Sequence, residues 1–230
     1  MTSDFNVRKH MDEDMDRLRS AMLKLGGLAE SAVDRSVSAL ARQDVPLAEE
    51  VIAGDDEVDD LAHRIDLDCF RMIAKYQPMA LDLRTLSSAI HMAVDLERIA
   101  DIGVNVAESA VEMARTHPMK PLVDIPRMGE RVAAMIDAAM RAYLNGDTGL
   151  AEQVCAMDDQ VDDLERQVFR ELLVLMIENP KTIAQGTELI NVARNLERAG
   201  DHATNLGEQI LFMTTGKVAK ASTFRRPIGD

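Results

Sequence analysis

Leu96-Glu97-Arg98-Ile99-Ala100-Asp101, followed by Asn105 and Glu108, returns one hundred residues later as Leu196-Glu197-Arg198-Ala199-Gly200-Asp201, followed by Asn205 and Glu208. Between Leu83–Glu108 and Ile183–Glu208, eight of 26 positions are identical, against about two for random pairing, so the chain carries an internal repeat. Each copy sets like charges at i and i+4: Glu97 with Asp101, and Glu197 with Asp201. On a helix such a pair costs about a few tenths of a kcal/mol. The first question is therefore what faces those carboxylates.

Outward from the repeat, the composition points to helices. The 230 residues suit two similar halves of about 110 residues each. Hydrophobic content is 47%, enough for a real core, while aromatics are 3% and Trp is absent. Alternating Val, Ile, Tyr, Phe or Thr between turn clusters would signal strands, and no stretch of convincing length shows it. The prediction is an all-α fold of two tandem, internally repeated three-helix bundles, six helices in total. Forty acidic against 26 basic residues give a net charge of −14, the opposite of a nucleic-acid footprint. A cation-binding surface or a basic protein partner fits that charge better. The C-terminal tail is the one locally basic stretch, with Lys217, Lys220, Arg225 and Arg226. Cys69 and Cys155 lie inside helical patterns and read as buried thiols, too few for a disulfide framework or a thiolate metal site. With no apolar signal core at the N-terminus and no apolar run near the ~20 residues of a membrane span, a cytoplasmic protein is expected.

Apolar residues at three- and four-residue spacing predict helices over 6–43, 46–76 and 79–115, then over 125–145, 148–178 and 181–214. Gly26-Gly27 in the first helix reads as a site of close helix packing or a mild kink. Breaks fall at Gln43-Asp44 with Pro46, at Gln77-Pro78, at Asn145-Gly146-Asp147 and at Asn179-Pro180. The domain reading is 1–116 for the first three-helix repeat, 117–126 (with Pro118, Pro121 and Pro126) for a linker, 127–216 for the second repeat and 217–230 for a tail without periodicity.

The second helix of each half carries a repeated acidic stretch, Asp55-Asp56-Glu57-Val58-Asp59-Asp60 against Asp158-Asp159-Gln160-Val161-Asp162-Asp163. At about 100° per residue, its apolar residues span roughly 140° of the helix. Asp55 falls inside that arc, Asp59 just beyond its edge, and Asp56 and Asp60 point away. Asp158 and Asp162 hold the same phases in the second half, while Glu97/Asp101 and Glu197/Asp201 flank the arc of the third helix. Four carboxylates at one seam repel unless paired. Arginine, water or a hard cation such as Mg, Ca, Mn or iron could pair them. Arg98 and Arg198 are near in sequence, but i+1 points to another face. A di-iron or ferritin-like site would need Glu-x-x-His on two helices. Ala100 and Gly200 stand where those histidines would be, and His91 and His202 read as neighbours of the site rather than ligands.

The Leu-Glu-Arg-x-x-Asp-x-x-x-Asn repeats, the Asp-x-x-Val-Asp stretches at 55–59 and 158–162, Gln77-Pro78 with Asp82-Leu83-Arg84, and Gly26-Gly27 together resemble the PhoU family of bacterial phosphate-uptake regulators. The resemblance runs from about residue 8 to residue 214. It implies two three-helix bundles, each bearing a surface site for a multinuclear cluster of iron or zinc, or of manganese or magnesium. The family's acidic motifs map onto Asp55/Asp59 with Glu97/Asp101, and onto Asp158/Asp162 with Glu197/Asp201. The resemblance also implies a negative regulator of the phosphate regulon, linking the ATPase subunit of the phosphate ABC transporter to a membrane sensor histidine kinase, and not an enzyme. Two positions depart from the family pattern. Ala100 stands where glycine is more usual, and Asp12-Glu13-Asp14 lacks the aromatic often found there.

Two other functions stay open on the residues alone: a metal-dependent phosphohydrolase using the carboxylate clusters, and a metal-free helical scaffold. The 15 Met residues suggest adaptable packing surfaces, and a homodimer that docks peripherally without membrane insertion is expected.

Overall fold

A computed structural model describes residues 2–226, with side chains from Arg8 onward. Residues 1 and 227–230, the last four of the expected tail, lie outside the described residues. Among those described there are seven α-helices: α1 (Thr2–Arg42), α2 (Val45–Ala53), α3 (Asp55–Tyr76), α4 (Ala80–Met113), α5 (Asp124–Asn145), α6 (Thr148–Glu178) and α7 (Ile183–Thr215). Single 3-10 turns lie at Pro180–Thr182 and Ala221–Thr223. The protein is all-α. No helix among the described residues is long and apolar enough to cross a membrane.

The helix starts follow from local chemistry. Asp44 and Asp147, at matching places in the two halves, accept from the backbone N–H groups of Leu47 and Leu150 at 3.1 and 3.0 Å. Each thereby satisfies a donor that the first turn leaves orphaned. Two boundaries differ from the sequence reading. The helix expected over 46–76 is two, because it breaks at Gly54. Glycine is a poor helix former, and Asp55, Asp56 and Glu57 then occupy the first turn of α3, where negative charge is stabilised. The position matching Gly54 in the second half is Met157, and α6 runs through it unbroken. The connection after α4 also lies three residues earlier than 117–126, at 114–123: Pro126 lies in the first turn of α5, where the missing N–H costs nothing.

The two halves share one core. α4 packs against α1 and α3 of its own half and also against α7, and α1 packs against α5. The added Cβ of an alanine at Gly26 would meet Met140 Sδ at 2.2 Å, so α1, unbroken through this pair, uses Gly26 for close approach to α5. α4 and α7 run antiparallel. Arg84 Nε donates to Met213 O, Ser88 Oγ to Gln209 O and Ser109 Oγ to Glu188 Oε1, at 3.2, 3.2 and 2.6 Å. Between these, His202 Nδ1 lies 2.8 Å from Asp95 Oδ1. Residue i of α4 matches residue i+100 of α7, so this register makes the halves exchange about a pseudo-twofold axis. The axis passes near Arg98 and Arg198, through the repeated Leu-Glu-Arg stretches. Cys69 and Cys155 are buried free thiols, as the sequence suggests.

Candidate metal centre

In the first half, α3 and α4 bring three of the four expected carboxylates together. One oxygen each from Asp55, Asp59 and Asp101 lies within 4.8 Å of the others, and among the described residues this is the one acidic group that closes so far. Asp55 is the first residue of α3, half-buried as its phase predicts, and its Oδ1 is buried without a hydrogen-bond partner. Burial, with Asp59 and Asp101 close by, raises the pKa of Asp55. Glu97 lies one turn before Asp101, and burial raises its pKa against the opposing pull of Arg98. An orphaned buried oxygen inside a converging carboxylate set fits a hard divalent cation. Arg98 departs from expectation. Its long side chain swings back so that Nη1 donates to Asp101 Oδ2 at 2.9 Å, with Nε 3.8 Å from Glu97. It covers the rim of the cluster and leaves Asp55 unpaired.

The second half places Asp158, Asp162, Glu197 and Asp201 at corresponding positions on α6 and α7, with a different outcome. Asp158 is fully buried, and burial pushes its carboxyl up to about 7. Gly200 makes that burial possible: a Cβ there would meet Asp158 Oδ1 at 2.8 Å. Where the first half has Ala100, the second half has a recess that holds the carboxylate. Burial also raises the pKa values of Asp162 and Glu197, with Asp201, Asp162 and Glu165 adding to the effect on Glu197.

The counter-charge comes from a residue that sequence reasoning missed. Arg225 Nη2 lies 2.6 Å from Asp158 Oδ2 and donates to Asp201 Oδ1 at 3.1 Å. The contact with Asp158 is an ion pair off the hydrogen-bond direction, and both oxygens of Asp158 lack hydrogen bonds. Arg198, the arginine nearest in sequence, reaches Asn195 instead, at 3.5 Å. The one sequence signal for Arg225 was the basic charge of an aperiodic tail. His202 pairs with Asp95 and His91 with the Ser87 carbonyl, so neither belongs to a carboxylate set.

The duplicated acid-bearing hairpins correspond to a known domain. The PhoU domain model matches residues 22–110 and again 125–210, one match per half. The chain belongs to the PhoU family. Two curated PhoU homologues, both named phosphate-specific transport system accessory proteins, show the extent of the likeness. That of Caulobacter vibrioides is 40% identical over 210 residues, covering 91% of each chain. That of Aquifex aeolicus is 39% identical over 208 residues, covering 90% of this chain and 94% of its own. The crystal structure of PhoU from Pseudomonas aeruginosa superposes with a TM-score of 0.86 at 34% identity, over 90% of this chain and 99% of that one. The PhoU structure from Streptococcus pneumoniae, titled a phosphate transport system regulatory protein, gives 0.85 at 25% identity, over 91% and 99%. Both PhoU domain matches end before Gly216, so the segment carrying Arg225 lies outside them.

Proposed function

We propose that this PhoU-family chain is an accessory regulator of phosphate transport that represses the phosphate regulon when phosphate is plentiful. The likeness to the Caulobacter accessory protein, 40% identical over 91% of each chain, carries this reading. In its finer form the protein is an adaptor between the ATPase subunit of the phosphate ABC transporter and a sensor histidine kinase, working in the cytoplasm as a homodimer. Exposed apolar side chains at the two hairpin ends, Phe70 and Met79 in one half and Ile177 and Ile183 in the other, support a protein-docking role. Deleting the gene and measuring alkaline phosphatase in high phosphate tests the reading. Derepression is expected, and unchanged repression would sink it.

A divalent or ferric metal, whether iron, zinc, manganese or magnesium, is the second part of the proposal. Asp55, Asp59 and Asp101 would hold it, with Glu97 beside them; the orphaned Asp55 oxygen supports this set. Bound metal would neutralise the cluster and tie α3 to α4. Metal analysis of protein purified without chelator, with Asp101→Asn beside the wild type, checks it.

A further inference from the structure

We propose that the C-terminal tail is an in-cis cationic ligand of the second acidic cluster: the Arg225 guanidinium stands among Asp158, Asp162, Glu197 and Asp201, so divalent metal enters the second half only when the tail leaves. The idea rests on the metal reading of the first half.

The tail is docked rather than loose. Gly216 ends α7 in the left-handed conformation at φ +73°, and the chain turns back over α6 and α7. The Ala221 N–H donates to Glu208 Oε1 at 2.5 Å, and the Ala221 side chain is buried. Phe224 packs against the hydrophobic core. Next, Arg225 enters the cluster and also donates to Thr204 Oγ1 at 3.4 Å. The Arg226 N–H donates to Asp159 Oδ2 at 2.9 Å, and its guanidinium reaches Asp163 at 3.2 Å. Asp159 and Asp163 are the outward-pointing acids of the repeated stretch, so the tail reads both faces of it.

Guanidinium and metal need the same oxygens. Arg225 already engages Asp158 and Asp201, and a dication beside it would face its positive charge at close range. The tether gives the arginine a high effective concentration, so the tail competes well against dilute metal. Among the described residues, no tail segment reaches the first cluster in this way. The chain of the first half leaves α4 for the connection to α5, where Thr116 and His117 accept from Gln43 and Gln185. Both oxygens of the fully buried Asp158 lack hydrogen bonds: Oδ1 lies in the recess at Gly200, and Oδ2 faces the cluster, where Arg225 meets it only as an ion pair at 2.6 Å, so the carboxylate is built to meet a cation that Arg225 satisfies only in part.

The test uses the full chain, Mn2+ as probe, and a lysine-specific endoproteinase cutting after Lys217 and Lys220. Without metal, cleavage is expected to be about tenfold or more faster in Arg225→Ala and Asp158→Asn than in the wild type, since proteolysis tracks the population of the open tail. Adding Mn2+ to the wild type should speed cleavage as metal displaces the arginine. By equilibrium dialysis, Arg225→Ala should bind more Mn2+ than the wild type, with the gain removed by adding Asp201→Asn and kept when Asp101→Asn is added. Equal cleavage of wild type and Arg225→Ala overturns the docking. Unchanged Mn2+ uptake in Arg225→Ala, while Asp101→Asn loses it, overturns the competition and leaves the first-half reading standing. No Mn2+ bound in any variant overturns both.

Discussion

At the residue scale, Asp158 is the most deeply buried carboxylate among the described residues. Its folded carboxyl titrates at about 7, above the ordinary 3.8, because burial disfavours the anion. The folded state therefore binds the proton more tightly than the unfolded state. Stability from this group is present below about pH 4 and is lost as pH rises towards 7. In metal-free protein, Asp158→Asn is accordingly expected to leave Tm nearly unchanged at pH 3 and to raise it at pH 8, measured by calorimetry. Gly200→Ala should destabilise by about 1–3 kcal/mol in urea titrations, since its Cβ would meet Asp158 Oδ1 at 2.8 Å and force a fully buried carboxyl to shift. The two thiols are buried as fully as Asp158. Burial pushes Cys69 and Cys155 up to about 12, so neither should react with a thiol-exchange reagent at pH 8 until the protein is unfolded.

At the scale of elements, duplication shows in the caps and then fails at Gly54. Asp44→Ala and Asp147→Ala are each expected to cost about 1 kcal/mol in equilibrium unfolding, because each removes the same acceptor from the same first turn. Gly54 lies at φ −83° and ψ −7°, which any L-residue adopts, with only ordinary contacts around a new Cβ. Gly54→Ala should then stabilise by about 0.4–1 kcal/mol through the unfolded chain. The break also explains why matching acids end up in different surroundings. Asp55 opens a helix and stays half-buried, whereas Asp158 sits fully buried inside an uninterrupted one, over Gly200.

For the whole molecule, α4 and α7 form the seam on which both halves close. One hydrophobic cluster runs from Met11 on α1 to Met213 on α7. A single cooperative unfolding transition is therefore expected by calorimetry. Residues 1–116 alone should lack it, because cutting there strips α4 of its α7 face and α1 of its α5 face.

Helix positions were legible because amphipathic periodicity is local: the buried residues Met15, Leu25, Leu61, Ile65, Leu86 and Leu96 recur where 3.6-residue spacing puts them. Helical phase likewise separated Asp55 and Asp158 from Asp56 and Asp159. Phase says which way a Cβ points and nothing about how far a long side chain bends, which is why the reach of Arg98 back to Asp101 was missed. The two carboxylate sets, their spacing and their duplication were determined by the sequence alone, since i,i+4 geometry and a repeat need no tertiary information. Which cation each set meets was decided only by the tertiary structure. Arg225 comes to Asp158 from 67 residues away along an aperiodic tail, and such a contact exists only once α6 and α7 have packed and Gly216 has turned the chain back over them.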